Sequence, residues 1–276
     1  MAQKFSARLP ESPLYRVRLV SGREDLAPAL ALRARLFRGA GAGAEGAGAE
    51  DADGFDPLCR HLVVETKAGG APVCTCRLLD IPGTRPVGAS YAAQFYDLSP
   101  LEGLKVSKGL TGPMLELGRF CIAPEARGAD VLRLVWGALT RIVVAEGVGF
   151  LFGCTSFPGT DAAPYRDAFA LLQARHLAPE SWRPRVRASE VVCFATGPKT
   201  GPGRPGPGPE SEPEPALKPA QHPMPPLLQS YLAMGGRVSD HAVRDADLNT
   251  LHVFTGLDIA RVPAPRRRAL MALSGG

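Results

Sequence analysis

Several features that would assign a protein class at once are missing from this sequence. Its six cysteines include no Cys-x-x-Cys pair and no histidines stand at zinc-finger spacing, so a metal site is not predicted. No run of about 18 residues is apolar and uncharged enough to span a bilayer, since the best candidate, Ile142 to Cys154, contains Glu146. The first residues, MAQKFSARLPESPLY, contain no apolar segment, so we expect a cytoplasmic protein with reduced thiols.

Concentrated positive charge is also scarce, although the formal net charge is +5. Basic residues cluster only at Arg183, Arg185 and Arg187 and in the run Arg266 to Arg268. No basic helix or pattern of stacking aromatic residues accompanies them, so nucleic-acid binding is not predicted. Each cluster suits an acidic protein partner, and the alternative is a solvated surface.

The stretch from Met114 to Asp161 predicts a βαβ unit at the centre of the fold. Two apolar runs of strand length, LELGRFCI and FLFGCTS, flank a helix that ends at Gly147. Apolar residues of this helix recur at the spacing that forms one buried stripe: Val131, Leu134, Val135, Ala138, Leu139, Ile142 and Val143. The two strands should therefore be parallel neighbours in an α/β fold with a mixed sheet.

The rest of the chain predicts further strands and helices around this unit. The predicted strands are Tyr15 to Val20, the hairpin HLVVET and PVCTCRLLD with Cys74 and Cys76 on one buried face, Glu190 to Ala195, and HVFTGLDI. The predicted helices are Leu26 to Arg38, a short one around Ser90 to Tyr96 within the irregular connection Ile81 to Gly112, Ala162 to Arg175, and LLQSYLAMG after Pro225-Pro226. The polar stretch Ser239 to Thr250 is predicted to be a loop suited to binding.

Two segments of biased composition divide the chain. Residues 39–54 are mostly Gly and Ala and predict a mobile loop, whereas residues 196–222 are rich in Pro and Gly and predict a solvated insertion. The predicted organisation is therefore a core of residues 1–195, an insertion of residues 196–222, and a C-terminal extension of residues 223–276 that packs on the core.

Glu116 and Arg119 stand out because they lie in an otherwise apolar central strand. Burying a charge without a partner costs several kcal/mol, so both residues should be paired or functional. A spacing of three places them on opposite faces of a regular strand, whereas a bulge at Gly118 would turn both toward one cleft. The alternative is a structural ion pair.

Three weaker signals also bear on function. The turn PEARGAD at Pro124 to Asp130 precedes a helix and suits a phosphate, the alternative being an ordinary turn with Asp130 as N-cap. The acidic residues Asp51, Asp53 and Asp56 suit a cationic ligand or form a polar loop. His61 and His176 have no nucleophile partner in a recognised motif, so structural roles are expected.

Taken together, the motifs resemble one known family, the bacterial L-ornithine N-alpha-acyltransferases. The resemblance runs from about Arg16 to Arg268, outside the two biased segments, and rests on ELGRFCIAPEARG, LVWG, FLFGCTSFPGTD, HLAPE, PPLLQSYL and DADLNTLHVF. This family is a branch of the GNAT superfamily close to the acyl-homoserine lactone synthases. It implies a GNAT-like fold and transfer of a 3-hydroxyacyl chain from acyl carrier protein to the α-amino group of L-ornithine, giving lyso-ornithine lipid.

The resemblance also implies particular site residues. Positions that match functional residues of the acyl-homoserine lactone synthases are Arg33, Phe37, Asp53, Asp56, Arg77, Glu116 and Arg119. Glu116 is implied as the general base, acting through water, and Arg119 as the residue that positions it or the substrate. Asp53 and Asp56 would help to attract the cationic acceptor.

On the donor side, the resemblance implies a thioester held between the two central strands. The donor contacts would be Arg127, Gly128, Ala129 and Ser156. Glu125 and Asp130 replace the first and last positions of the superfamily's phosphate turn, and they would repel the pyrophosphate of coenzyme A more than the single phosphodiester of a carrier protein. No cofactor or metal is implied beyond this donor.

Three alternatives remain open. The acceptor could be another amino acid or amine, and the donor could be acyl-CoA. A non-enzymatic carrier-binding or lipid-associated module is the third, because PPLLQSYLAM could lie on a membrane surface as a peripheral contact. Arg183, Arg185, Arg187 and Arg266 to Arg268 would then serve, as in the enzyme, to dock the acidic carrier protein.

Overall fold

The computed structural model describes residues 8–20, 22–39, 51–107, 110, 112–126, 128–194 and 224–275. The strands in these ranges are β1 (Tyr15–Val20), β2 (Arg60–Thr66), β3 (Pro72–Ile81), β4 (Tyr96–Asp97), β5 (Met114–Ile122), β6 (Phe150–Pro158), β7 (Arg185–Val186), β8 (Val191–Cys193), β9 (Arg237–Asp245) and β10 (Thr250–Asp258). The α-helices are α1 (Arg23–Phe37), α2 (Ser99–Val106), α3 (Ala129–Glu146), α4 (Arg166–Arg175), α5 (Pro226–Ala233) and α6 (Ala264–Leu273).

One large mixed sheet organises the described residues. Its eight strands run in the order β1-β2-β3-β5-β6-β10-β9-β8, and β4 pairs with β7 in a separate two-stranded sheet. The neighbours β5 and β6 are parallel, from Met114 opposite Phe150 to Leu117 opposite Gly153, while β10 is antiparallel to β6. The C-terminal segment therefore completes the same sheet as the central unit.

The predicted βαβ unit is confirmed. The stripe residues Val131, Leu134, Val135, Ala138 and Leu139 of α3 are buried, as the apolar periodicity requires. The helix ends at Gly147, whose φ of 62° gives the left-handed conformation that glycine adopts at low cost.

The elements predicted before this unit are also confirmed in outline. Strand β1 has the predicted bounds, and β2 with β3 forms the predicted hairpin. Cys74 and Cys76 of β3 are both fully buried on one face of the sheet.

Two predicted connections are wrong. The stretch Ile81 to Gly112 contains α2 in addition to a short 3₁₀ turn at Ala92–Gln94, and most of the predicted loop Ser239 to Thr250 is strand β9. The sequence did not indicate β9 because Asp240, Arg244 and Asp245 interrupt its apolar pattern, although most of the strand is buried. Helix α5 buries Leu228 and Tyr231 in the core, and its contact with a membrane through the remaining surface stays a prediction.

The two biased segments fall mostly outside the described residues. These are residues 40–50 of the predicted Gly/Ala loop and all of the Pro-rich insertion, residues 196–222. The end of the predicted loop departs from expectation, because Asp51 is 1% exposed and hydrogen-bonded to Arg33.

Apolar clusters cover both faces of the sheet in the described residues. Helices α3 and α5 bury one face, where Trp136 and Tyr231 contribute to a single cluster that Leu32 of α1 also reaches. Helix α1 packs Leu26 and Leu30 against Val63 on the other face. On that other face, the connection from Val87 to Leu101 covers aromatic residues of β6 and β10. This second face also carries Glu116, so we call it the site face.

Candidate active site

The central strands separate at the point where the sequence predicted a cleft. Pairing of β5 with β6 stops at Leu117 and Gly153, although each strand continues for five more residues. Gly153 lies so close to the Leu117 carbonyl that a Cβ atom there would overlap it. The predicted splay is confirmed, and it leaves a gap between β5 and β6 at the carboxyl ends of both strands.

The predicted bulge near Gly118 is confirmed as well. Between the pairs Arg77–Gly118 and Thr75–Cys121, β5 has one more residue than β3. The extra residue is accommodated at Arg119, whose φ of 48° is in the left-handed region that non-glycine residues rarely adopt. The bulge turns the Arg119 side chain toward the connection that also covers Glu116.

Glu116 is buried, with 3% of its surface exposed, and both carboxylate oxygens are hydrogen-bonded. The backbone N–H of Tyr91 donates to Oε2 at 2.8 Å, and that of Ala92 donates to Oε1 at 2.7 Å. Burial raises the pKa of Glu116 to about 7, although these two N–H groups act in the opposite direction. A carboxylate that titrates near neutrality is suited to accept a proton at physiological pH.

Three arginines and three aspartates form one interlocked network beside Glu116. Arg33 donates from Nε to Asp51 at 2.9 Å and from Nη1 to Asp56 at 2.7 Å. Arg77 donates from Nη1 to Asp53 at 2.5 Å and to Asp56 at 3.1 Å.

Arg119 closes the network by donating from Nε to Asp51 at 3.0 Å and from Nη2 to Asp53 at 3.3 Å. The network thus joins five of the seven positions singled out by resemblance (Arg33, Asp53, Asp56, Arg77 and Arg119) and adds Asp51.

The network favours the ionised form of Asp53 and Asp56 by lowering the pKa of each. Burial would raise the pKa of Asp56, but hydrogen bonds from Arg33 and from the Asp53 N–H outweigh it and lower the pKa. Burial also opposes ionisation of Asp53, where the hydrogen bond and charge of Arg77 prevail and lower the pKa.

Tyr91 links Glu116 to the network and was missed by sequence reasoning. Its backbone N–H binds Glu116, and its hydroxyl accepts a hydrogen bond from Arg119 Nη1 at 3.0 Å. The guanidinium carbons of Arg77 and Arg119 lie 4.9 and 5.2 Å from the centre of its ring. No motif marks Tyr91, because its contacts depend on how the connection between β3 and β5 folds over the sheet.

Phe37 contacts the same arrangement from α1. The guanidinium carbon of Arg119 lies 5.9 Å from the centre of the Phe37 ring, which is half-buried. Phe37 therefore borders the site by packing against the Arg119 guanidinium.

The predicted donor residues lie at separate places. Arg127 is outside the described residues, Gly128 is the N-cap of α3, and Ala129 is the first residue of the helix. Ser156 is exposed on β6, beyond the last residue paired with β5.

Asp130 is not the N-cap predicted as the ordinary alternative, because Gly128 occupies that position without a side-chain hydrogen bond. Glu125 pairs with Arg35 at 2.9 Å, which offsets part of the negative charge expected at this turn. The N–H groups at the start of α3 remain available to an anion.

Burial opposes ionisation of His61 and Cys154 in the site region. Burial lowers the pKa of His61, whose Nε2 lies 3.0 Å from the Asp56 carbonyl, in keeping with the expected structural role. Burial raises the pKa of Cys154 well above its ordinary value. Within the described residues, no group of His, Cys, Asp and Glu side chains has an arrangement that could hold a metal ion.

Sequence comparison assigns this chain to a family of known enzymes. The L-ornithine N(alpha)-acyltransferase of Rhodobacter capsulatus is 32% identical over 255 residues, an alignment that covers 88% of this chain and 90% of the relative. The chain belongs to the L-ornithine N(alpha)-acyltransferase family. The family protein of Brucella abortus is 31% identical, with 89% of this chain and 85% of the relative covered.

The family assignment agrees with the fold. Residues 32–137 match the acetyltransferase (GNAT) domain, so the predicted fold class and enzyme class are confirmed: this member of the L-ornithine N(alpha)-acyltransferase family is a GNAT acyltransferase. A CoA-dependent acyl-homoserine lactone synthase of known structure is 14% identical, covers 95% of this chain and 96% of its own, and superposes with a TM-score of 0.45. No helix in the described part of this family member is long and apolar enough to cross a membrane.

Proposed function

We propose that this enzyme transfers a 3-hydroxyacyl chain from acyl carrier protein to the α-amino group of L-ornithine, forming lyso-ornithine lipid. The observation that carries the proposal is the gap between β5 and β6 with Glu116 buried beside it, in a chain whose relatives are named for ornithine acylation. We assign the reaction to the cytoplasm, where thiols such as those of Cys74 and Cys76 stay reduced.

In the proposed mechanism the neutral α-amine attacks the thioester carbonyl directly. The new C–N bond forms, and a water held by Glu116 takes the amine proton and passes it to the carboxylate. The tetrahedral intermediate then collapses, the C–S bond breaks, and the departing thiolate takes the proton back from Glu116 through water, which regenerates the carboxylate and releases the phosphopantetheine thiol. Backbone N–H groups that β5 and β6 no longer share at the splay are the candidates to stabilise the oxyanion.

We assign the Arg–Asp network a structural role, as the wall that borders this site. Each of Asp51, Asp53 and Asp56 is paired with at least one arginine, and Asp51 also accepts from Arg38, so the network leaves no unpaired carboxylate to draw in a cation. This weakens the hypothesis that Asp53 and Asp56 attract ornithine. Arg77 retains one buried nitrogen, Nη2, with no hydrogen-bond partner among the described residues, and we assign it to the α-carboxylate of the acceptor.

Direct transfer predicts that Cys154 is dispensable. This thiol lies on β6 close enough to Glu116 for the carboxylate to affect its pKa, and burial keeps it protonated and therefore a poor nucleophile. We expect Cys154→Ala to keep kcat within about threefold of wild type, measured with ornithine and a 3-hydroxyacyl carrier protein. Loss of activity together with a trapped acyl-enzyme on the wild-type thiol would show a covalent route instead.

The carrier protein is expected to dock on the arginines that border the site face. Strand β7 pairs with β4, and the Ala188 N–H donates to the Phe95 carbonyl at 3.0 Å, so exposed Arg185 and Arg187 lie on the cover of the site. Arg183, the third member of this cluster, donates to the Ala178 carbonyl at 2.8 Å and is partly engaged.

The other predicted cluster lies away from the site. The end of α6 contacts the middle of α3, where Leu273 approaches Gly137 and Arg141 Nη2 donates to the Gly275 carbonyl at 3.2 Å. Arg267 nearer the start of α6 lines the same depression as Val143 and Val144 at the end of α3. Arg266 to Arg268 therefore lie on the opposite side of the sheet from Glu116, toward the end where β5 and β6 remain paired.

Charge reversal should separate the two clusters. We expect Arg185→Glu with Arg187→Glu to raise the KM for the acyl carrier protein roughly tenfold, because each exposed contact is worth at most about 1 kcal/mol. The effect should shrink as salt is added, since exposed charges are screened. Arg266→Glu with Arg268→Glu is the matched control, and a larger effect in that pair would move the docking surface to α6.

The overall proposal is tested by product identity. Purified enzyme is incubated with ornithine and either 3-hydroxyacyl carrier protein or the matching acyl-CoA, and the products are identified by mass spectrometry. Lyso-ornithine lipid from the carrier-protein donor supports the proposal. Product from acyl-CoA alone would change the donor, and absence of product with every amino acid would favour a binding module.

A further inference from the structure

A second polar corner lies on the site face, across β6 from Glu116. It consists of Asp245 at the end of β9 and His252 on β10, which are 8% and 3% exposed. Asp245 accepts one hydrogen bond, from the Leu248 N–H to Oδ1 at 3.0 Å, and has no ion pair among the described residues. A nearly buried carboxylate without a cationic partner is costly unless a ligand supplies one.

The hydrogen bonds of His252 assign its tautomer. The Tyr96 hydroxyl donates its one proton to the His252 carbonyl at 2.8 Å, so its oxygen accepts from His252 Nδ1 at 3.2 Å. Nδ1 therefore carries the proton, and Nε2 presents a bare lone pair. Nε2 is buried with no partner in the described part of the chain, which leaves an acceptor waiting for a donor.

The imidazole of His252 carries no positive charge. Burial lowers the pKa of His252 to about 4, although the Asp245 charge acts in the opposite direction, so the imidazole is neutral at physiological pH. Its other neighbours are the Tyr96 hydroxyl, the Phe95 ring at 4.9 Å and neighbouring His241. Asp245 and His252 thus present an anion and a neutral acceptor, which together match an ammonium group.

The corner and Glu116 belong to one continuous surface. Glu116 lies opposite Phe152 and His252 opposite Ser156, with Cys154 between them on the same face of β6. Both Glu116 and Asp245 raise the pKa of Cys154, after the larger effect of burial, so both carboxylates lie within electrostatic reach of it.

The spacing suits an extended diamine. Four residues along β6 and two strand spacings separate Glu116 from His252, so their Cα atoms lie roughly 16 Å apart. The two nitrogens of extended ornithine are roughly 6 Å apart, and a bridging water at one end and a hydrogen bond at the other add roughly 8 Å. The side chains of Glu116 and His252 span the rest of the distance between their Cα atoms.

We propose that Asp245 and His252 bind the side-chain ammonium of a dibasic acceptor while its α-amine faces the Glu116 side of the cleft. The inference rests on the proposed function and names the group that would select ornithine over neutral amino acids. The carboxylates of the Arg–Asp network are already paired with arginines, so among the described carboxylates of this face Asp245 remains for the second positive charge.

The test compares ornithine with norvaline, which lacks only the side-chain ammonium. Asp245→Asn keeps the Oδ1 acceptor for the Leu248 N–H and removes the charge. We expect it to raise the KM for ornithine about 10- to 100-fold, as for a lost charge-assisted hydrogen bond, and to leave kcat/KM for norvaline unchanged. His252→Phe should reduce the ornithine preference in the same direction, while His252→Gln, which retains an acceptor, should restore part of it.

The matched control is Asp247→Asn. Asp247 lies two residues after Asp245, is exposed and pairs with Arg38. It should leave both substrates unaffected. An equal loss of kcat/KM for ornithine and norvaline in Asp245→Asn would make the corner merely structural, and an unchanged ornithine preference would overturn the proposal. If the wild-type enzyme acylates neither amino acid, the proposed function is contradicted. If the wild-type enzyme is active but Asp245→Asn loses activity with norvaline alone, the assignment of Asp245 and His252 is contradicted.

Discussion

Glu116→Gln is expected to lower kcat by about 10²- to 10⁴-fold, the range for removal of a general base. Glutamine keeps the size of the side chain but cannot accept the proton of the attacking amine. The measurement is turnover of ornithine with saturating 3-hydroxyacyl carrier protein. Near wild-type turnover would remove Glu116 from the mechanism.

A stability control must accompany this variant. Glu116 accepts N–H groups of Tyr91 and Ala92 with separate oxygens, and the amide of glutamine would oppose one of these donors. Leaving one buried donor unpaired costs about 1–3 kcal/mol, so the melting temperature should fall by a few degrees without loss of the folded state. Unchanged affinity for the carrier protein would show that the fall in kcat is chemical.

The pH dependence gives an independent reading of the same residue. Because the pKa of Glu116 is raised to about 7, kcat/KM should decline about tenfold per pH unit below that value, as the base becomes protonated. Protonation of the ornithine α-amine, whose ordinary pKa is about 8, also lowers the rate and should persist in Glu116→Gln, so the variant should lose only the additional decline that is due to Glu116. A wild-type profile that stays flat down to pH 5 would exclude a base with this pKa.

Arg33→Met is expected to lower the free energy of unfolding by about 3–5 kcal/mol, the cost of breaking a buried ion pair from one side. Arg33 is 1% exposed and binds both Asp51 and Asp56, so its removal leaves two buried carboxylates undercompensated. Arg38 and Arg119 still contact Asp51, and Arg77 still contacts Asp56, which favours the lower end of the range. Thermal unfolding should show a melting temperature roughly 6–12 °C lower.

Arg35→Met is the matched control on the same helix. Arg35 pairs with Glu125 at the surface, where both side chains are at least half exposed, and such a pair is worth at most about 1 kcal/mol. The Arg33 variant should therefore be the less stable of the two by several kcal/mol. Equal stabilities would mean that the network tolerates the loss of Arg33 and is not the wall that we describe.

The sequence determined the central unit because its pattern is local. The apolar period of α3, its glycine stop and the two flanking apolar runs are each decided within a few residues, and the structure has them where the pattern predicts. The bulge followed from one conflict in the same stretch, since Glu116 and Arg119 could share a cleft only if the strand gained a residue.

The family followed from combined motifs, which also marked five members of the Arg–Asp network. For Asp53 and Asp56, however, the sequence predicted a different role, attraction of the cationic acceptor. An aspartate in a glycine-rich segment looks available to a cation, and only the fold shows that α1, β3 and β5 bring an arginine to each of Asp51, Asp53 and Asp56.

Tertiary structure alone decided the remaining parts of the site. Tyr91 binds Glu116 because the connection between β3 and β5 folds over the sheet, and Asp245 approaches His252 because β9 and β10 pair beside β6. These contacts join residues as far apart as Tyr96 and His252, whose positions relative to one another depend on strand order. Local sequence sets the period of each element, whereas strand order sets which side chains meet.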